Sequence, residues 1–247
     1  MKKLPHFLSY LISLFLILII WGILARFMNA SLILPSPLEV IASLFQLCST
    51  KIFWLNFLAT FLRVIIAFLI TVLLGTTIGI FCGFSSIIKI LLELPLSIIR
   101  ATPVVAFILA AYYWFTSNTI PVFISILMAL PVMISAVSTG FEKSNRSLMN
   151  MAQTFQLSKK EVFFYIKLPD CLPFWKNGLL STFGIIWKVV AAGEVLCLPK
   201  FAVGTMMQRA QVHLETSLVI AQTVVLVTFS FILERLLAFL LNRSSHE

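Results

Sequence analysis

The chain has 247 residues, is 60% hydrophobic and 11% charged, and has a mean hydropathy of +1.06, which is more apolar surface than one soluble domain can bury. This excludes a soluble enzyme and describes an all-α, multi-span membrane protein. The net charge of +9 then needs no nucleic acid, because basic residues gather on one side of a bilayer.

Taken in order, Met1-Lys2-Lys3 precedes an apolar run over residues 7–24. The run is longer than a signal-peptide core and lacks a small-x-small cleavage site, so the expectation is a retained first span with its N-terminus inside, leaving near Arg26 and Asn29. Leu34-Pro35-Ser36-Pro37 is a rigid extended segment. The amphipathic run after it, with Val40, Ile41, Leu44, Phe45 and Cys48 on one side, is too short to cross and is expected along the outer interface. These pieces form an N-terminal unit, residues 1–54.

The second span covers residues 55–84 and carries Gly75, Gly79 and Gly83, a doubled GxxxG that lets another helix approach closely. Arg63 in its outer third is expected to snorkel outward without a function. Residues 85–100 read equally as an interfacial helix or as the start of the third span, with Lys89 and Glu93 placed to pair at i,i+4. Arg100-Ala101-Thr102-Pro103 is expected to open the third span, to about residue 116, with Pro103 in its first turn. A turn at Ser117-Asn118 leads to the fourth span, residues 120–140, which Pro131 is expected to break beside a cavity.

The only long polar interval, residues 141–176, holds six of the eighteen Lys and Arg residues against three acids, Glu142, Glu161 and Asp170. The positive-inside bias makes it cytoplasmic. Ser144 or Asn145 can cap a first helix whose stripe is Leu148, Met151, Ala152 and Phe155. Ser158 and Glu161 form a capping box for a second short helix that Pro169 should end.

The fifth span, residues 177–198, contains Lys188 and Glu194, each costing about 2.5–3.5 kcal/mol at a helix centre. They lie about 240° apart around the helix and cannot pair along one face. Lining a watery pathway is the preferred reading, and pairing with another helix the other. An outer loop over residues 199–215 and a sixth span over residues 216–241 complete a core of residues 55–241, and residues 242–247 form a short cytoplasmic tail. With six spans and both ends inside, eleven basic residues fall on the cytoplasmic side and four (Arg26, Lys51, Lys200, Arg209) outside.

Cys48, Cys82, Cys171, Cys197 and His6, His213, His246 are scattered without ligand spacing, so no metal or disulfide framework is expected. None of the nine glycines precedes a lysine, which excludes a GxxxxGK(S/T) phosphate cradle, and GxSxG and HExxH are absent. Any ATP that powers this chain is hydrolysed elsewhere.

Asn150-Met151-Ala152, three residues, Gln156, nine residues, then Ile166-Lys167-Leu168-Pro169 reproduces the spacing of a known cytoplasmic signature, EAA, three, G, nine, I-x-LP. In that signature the chain resembles the inner-membrane permeases of binding-protein-dependent ABC importers, with Asn150 for the family's Glu and Gln156 for its Gly. Residues 34–37, the glycine-rich second span, residues 100–103 and residues 187–196 are similar to the subgroup serving sulfonates, taurine, nitrate and pyrimidine precursors.

The resemblance implies a type I importer permease fold in the cell inner membrane. The helix with Met149, Asn150, Met151, Ala152, Gln156 and Leu157 would be a coupling helix docked on a cytoplasmic ATPase subunit that carries ATP and Mg. Ser158, Glu161, Leu168 and Pro169 would shape its loop. A homodimer and an extracytoplasmic solute-binding protein are implied as well. Arg100, Pro103, Pro131, Lys188 and Glu194 are the candidates for the translocation pathway, and Lys188 is compatible with an anionic solute. The alternative is a carrier or channel driven by an ion gradient, with Lys188 and Glu194 as coupling charges, although no internal repeat is evident.

Overall fold

The computed structural model describes residues 6–28, 30–144 and 146–243. Lys2, Lys3, Asn29, Asn145 and His246 lie outside them, as does the tail from residue 244. Among the described residues there is no strand.

α1 (His6–Met28) is an apolar helix of 23 residues. It leads through Trp21, whose indole N–H donates to Pro35 O at 3.1 Å, into α2 (Pro37–Cys48). Ser36 and Glu39 form a capping box at the start of α2, and Pro37 occupies its first turn, where its missing N–H costs nothing. Ser43 Oγ donates to Ser217 Oγ at 3.0 Å and ties α2 to the last helix.

α3 (Lys51–Phe84), α6 (Ile120–Glu142) and α9 (Leu168–Cys197) form the packed centre. Lipid supplies no hydrophobic drive between helices, so their contact depends on close approach of small residues. A Cβ at Gly75, Gly79 or Gly83 of α3 would lie 2.7, 2.6 or 2.5 Å from the Cβ of Met133, Val137 or Phe141 on α6. Three glycines spaced by four face three side chains spaced by four, one ladder into another. On the adjoining flank of α6, Ala136 and Met133 meet Gly178 of α9.

Four helical stretches are long and apolar enough to cross a bilayer: α3, α6, residues 159–197 and α11 (Thr216–Arg243). The third crossing differs from the expected straight span. α4 (Ser86–Ala101) and α5 (Val104–Ala111) meet at a 97° bend. Pro103 forces Thr102 into extended backbone (φ −80°, ψ 129°), which ends α4 instead of opening a span, and α5 lasts only eight residues. α4 buries no residue, and Ile87, Ile90, Leu91 and Leu94 are exposed along it.

Other expectations also change. α6 runs unbroken through Pro131, which is buried. The outer loop contains a helix, α10 (Val203–Val212), with Val203, Gly204, Thr205 and Ala210 buried.

Pro169 does not end the second polar helix. α8 (Lys159–Val162) passes through a π turn (Phe163–Lys167) straight into α9. Within the π turn the Leu168 N–H reaches back five residues to Phe163 O, so the proline that follows is absorbed in the first turn of α9.

Candidate functional site

The polar interval projects from one end of the bundle as α7 (Arg146–Thr154), a turn and α8. The Ser144 hydroxyl donates to Phe141 O at 3.0 Å, and Asn145, the other expected cap of α7, lies outside the described residues. The predicted apolar stripe divides. Ala152 is 2% exposed and faces α8, whereas Met151 and Phe155 are 46% and 70% exposed. Asn150 is exposed as well.

α7 ends in a Schellman motif. Leu157 N donates to Ala152 O at 2.9 Å and Gln156 N to Gln153 O at 3.1 Å. Gln156 has φ 54°, the left-handed conformation that favours glycine, and it stands where the signature has Gly. The turn is thus built with glycine's geometry but without glycine.

The Ser158–Glu161 capping box then starts α8, with Glu161 N to Ser158 Oγ at 3.3 Å and Ser158 N to Glu161 Oε2 at 2.7 Å. The Ser158 hydroxyl and N–H hold the exposed Glu161 carboxyl below its ordinary range. A cleft of about 300 Å³ between α7 and α8 is lined by Met149, Ala152, Gln153, Gln156, Leu157 and Val162.

Aromatic packing fixes this element to the bundle. Phe163 stacks on Phe141 with centroids 5.9 Å apart, and Lys167 Nζ lies 4.8 Å above the Phe84 ring. Nearby, Lys89 pairs with Glu142 at 2.7 Å across α4 and α6, not with Glu93 on its own helix.

At the opposite end lies a buried polar node. Glu194 on α9 is 0% exposed and accepts from Thr60 Oγ1 (2.8 Å), Arg63 Nη1 (2.8 Å) and Gly204 N (3.2 Å). Arg63 turns inward, correcting the snorkelling expectation. It also donates to Asn118 O (3.3 Å) and Phe201 O (2.8 Å), closing two turns onto one guanidinium. Asn56 Oδ1 accepts from Ala202 N at 2.7 Å, and Thr60 Oγ1 from Val203 N at 3.0 Å.

Three amides at the start of α10 are therefore capped by side chains of α3 and α9, which satisfies donors that a helix N-terminus leaves open. Glu194 is taken up in this node by Arg63 and Thr60 of α3, the pairing with another helix that the sequence offered as the second reading.

Lys188 behaves differently. It is exposed on α9 and makes no ion pair among the described residues. It lines a groove of about 490 Å³ between α9 and α11, with Trp187, Ala191, Thr223, Ser230 and Glu234 among the walls. Of the five pathway candidates only Lys188 lines this groove. Arg100, whose Nη2 donates to Ser97 Oγ at 3.4 Å, and Pro103 stand at the α4–α5 bend instead.

Glu234 and Arg63 are the charged residues whose part the sequence reading missed. A carboxylate inside the last apolar span costs as much as one in the fifth, and that cost was the available signal for Glu234.

Comparison with known proteins agrees with this architecture. The family model described as "Binding-protein-dependent transport system inner membrane component" matches residues 75–246. The taurine transport system permease protein TauC of Escherichia coli is 27% identical over 232 residues, covering 90% of this chain and 83% of that protein. The nitrate import permease protein NrtB of Synechococcus elongatus is 25% identical over 205 residues, covering 78% and 73%.

Among solved structures, a crystal structure of an amino acid ABC transporter with histidines matches at a TM-score of 0.60 and 15% identity, over 78% of this chain and 93% of that one, a likeness of fold. With a helical multi-span fold and a family match over most of its length, the chain belongs to the inner-membrane components of binding-protein-dependent transport systems, the permease subunits that form the translocation pathway of ABC importers.

Proposed function

We propose that α7 is the coupling helix of this permease and docks on a separate cytoplasmic subunit that binds Mg and hydrolyses ATP. The observation that carries this reading is the projecting α7–turn–α8 element. Its Schellman turn falls at the signature position, and its outward residues Met151 and Phe155 are apolar and uncovered. In water such side chains favour a partner surface.

The remaining organisation follows from that docking. α1, α3, the bent α4–α5 pair, α6, α9 and α11 make six crossings, with both termini on the cytoplasmic side together with α7. Residues 55–241 act as the permease core, and residues 1–54 add a crossing and the interfacial α2. An extracytoplasmic binding protein delivers a small solute at the α10 end. Two copies of the chain assemble around the pathway. The exposed Lys188, a charge without an ion pair among the described residues of a membrane helix, supports a second copy. Lys188, Arg100 and Pro103 then belong to the pathway, and Glu194 braces it from behind.

Affinity capture of the tagged permease, expressed with its ATPase, tests the docking. Phe155→Asp and Met151→Asp change exposed positions, so the permease should stay folded and in the membrane while ATPase recovery falls at least about tenfold, the loss of a buried apolar anchor at an interface. Full ATPase recovery with both substitutions would remove α7 from the coupling role.

A further inference from the structure

A crevice opens on the flank of the bundle where α3 meets the first turns of α9, with Val137 and Phe141 of α6 as its floor. Two contacts mark its length. Trp175 Nε1 donates to Thr76 Oγ1 at 3.0 Å, and the Lys167 ammonium lies 4.8 Å over the Phe84 ring. They are eight residues apart on both segments, about 12 Å along the axis, close to the hydrocarbon depth of one leaflet, about 15 Å. The volume is about 410 Å³, within the range of small-ligand sites.

The walls offer nothing to a polar solute. Apart from two threonines, Cys171 and the Trp175 indole, the lining is hydrocarbon, and these polar groups are already taken. Thr76 Oγ1 accepts from Trp175, Thr77 Oγ1 donates to Leu73 O at 2.8 Å, and Cys171 Sγ donates to Val137 O at 3.7 Å. A crevice whose polar groups are satisfied within its own walls stays dry and accepts hydrocarbon. Leu73, Leu168 and Leu172 line it and are exposed, so it is open along its side.

The mouth has the opposite character. Lys167 adjoins Leu168, and Phe84 stands one turn beyond Ile80, so the ammonium sits where the crevice ends. It makes no ion pair among the described residues, and its surroundings in sequence, residues 141–176, hold six Lys and Arg against three acids.

We infer that the α3–α9 crevice is a site for one chain of an anionic phospholipid, whose phosphate rests on Lys167. A dry furrow of leaflet depth with a cation at one end matches an acyl chain joined to a negative headgroup, whereas a free phosphate ester would leave the furrow unfilled. The site is separate from the α9–α11 groove and from the surface of α7 proposed for docking.

The test is quenching of Trp175 fluorescence in the purified full-length permease, reconstituted in phosphatidylcholine vesicles doped with phosphatidylglycerol or phosphatidylcholine brominated at mid-chain. Subtracting the signal of Trp175→Phe isolates this residue from the other four tryptophans. Quenching by phosphatidylglycerol should saturate, with half its effect at a mole fraction on the order of tenfold lower than brominated phosphatidylcholine needs, the fold-change expected of one charge-assisted hydrogen bond. Lys167→Gln should bring the two lipids within about twofold, and Lys167→Arg should keep the preference. Glycerol 3-phosphate, a phosphate ester without chains, should not displace the brominated lipid.

Equal quenching by both lipids, or quenching that rises in simple proportion to either, is ordinary annular contact and overturns the inference. Displacement by glycerol 3-phosphate, or a preference that survives Lys167→Gln, overturns it too. So does absence of Trp175 quenching, and if quenching then appears only where light scattering shows single copies, the crevice belongs to a contact between copies.

Discussion

Replacing Arg63 with Met would expose what the buried node contributes. Arg63 is 12% exposed in its side chain and Glu194 0%, so the pair sits in a poorly screened environment. Without the guanidinium, Glu194 keeps two neutral donors, Thr60 Oγ1 and Gly204 N, for a carboxylate with no counter-charge. Removing one partner of a buried pair costs about 3–5 kcal/mol, against about 0–1 kcal/mol for an exposed one. The loss of Arg63's hydrogen bonds to Asn118 O and Phe201 O adds to the cost.

Equilibrium unfolding in mixed micelles would read this, and Arg63→Met paired with Glu194→Gln should recover most of the loss, because no unpaired charge remains. Hydrogen exchange should show the amides of Ala202, Val203 and Gly204 opening first, since Asn56, Thr60 and Glu194 hold them. An Arg63→Met cost below about 1 kcal/mol, or a double variant no better than the single, would refute the argument that this pair is electrostatically buried.

Gln156→Gly should stabilise the turn after α7 by about 0.5–1 kcal/mol, because relief of the left-handed strain outweighs the added freedom of the unfolded chain, and slower exchange at the Leu157 amide would report it. Gly79→Leu should separate α3 from α6, since even a Cβ there lies 2.6 Å from Val137 Cβ; overpacking of about 1–3 kcal/mol or more should appear as lower yield of folded protein in a detergent stability assay.

Where local rules suffice, the sequence carried the structure. The Ser158–Glu161 capping box, the glycine register of α3 and the extents of α3, α6 and α11 all depend on residues within a turn or two of each other. The Arg63–Glu194 pair joins residues 131 apart, and no periodicity announces it. The direction of an arginine near a helix end depends on whether water or a carboxylate lies within reach, which is a tertiary fact.

Helix α10 was hidden for a similar reason. Its short polar sequence resembles a loop, and its first amides are satisfied from α3 and α9, not by a cap of its own. Pro169 misled by a different route. Proline stops a regular α-helix, but a five-residue π turn removes the need for the missing donor. Gln156 shows the reverse case, a backbone shape retained after its preferred residue has been replaced.

The π turn has a mechanical consequence. Because α8 and α9 join through the π turn without a loop, residues 159–197 form one continuous helix of 39 residues, reaching from the projecting elbow to the Glu194 node. A rod of that length measures about 58 Å, so a tilt of about 5° at the elbow sweeps its far end by about 5 Å. Lys188 rides on the shaft between them, so under the docking proposed for α7 a tilt of this rod would carry movement of the elbow to the groove.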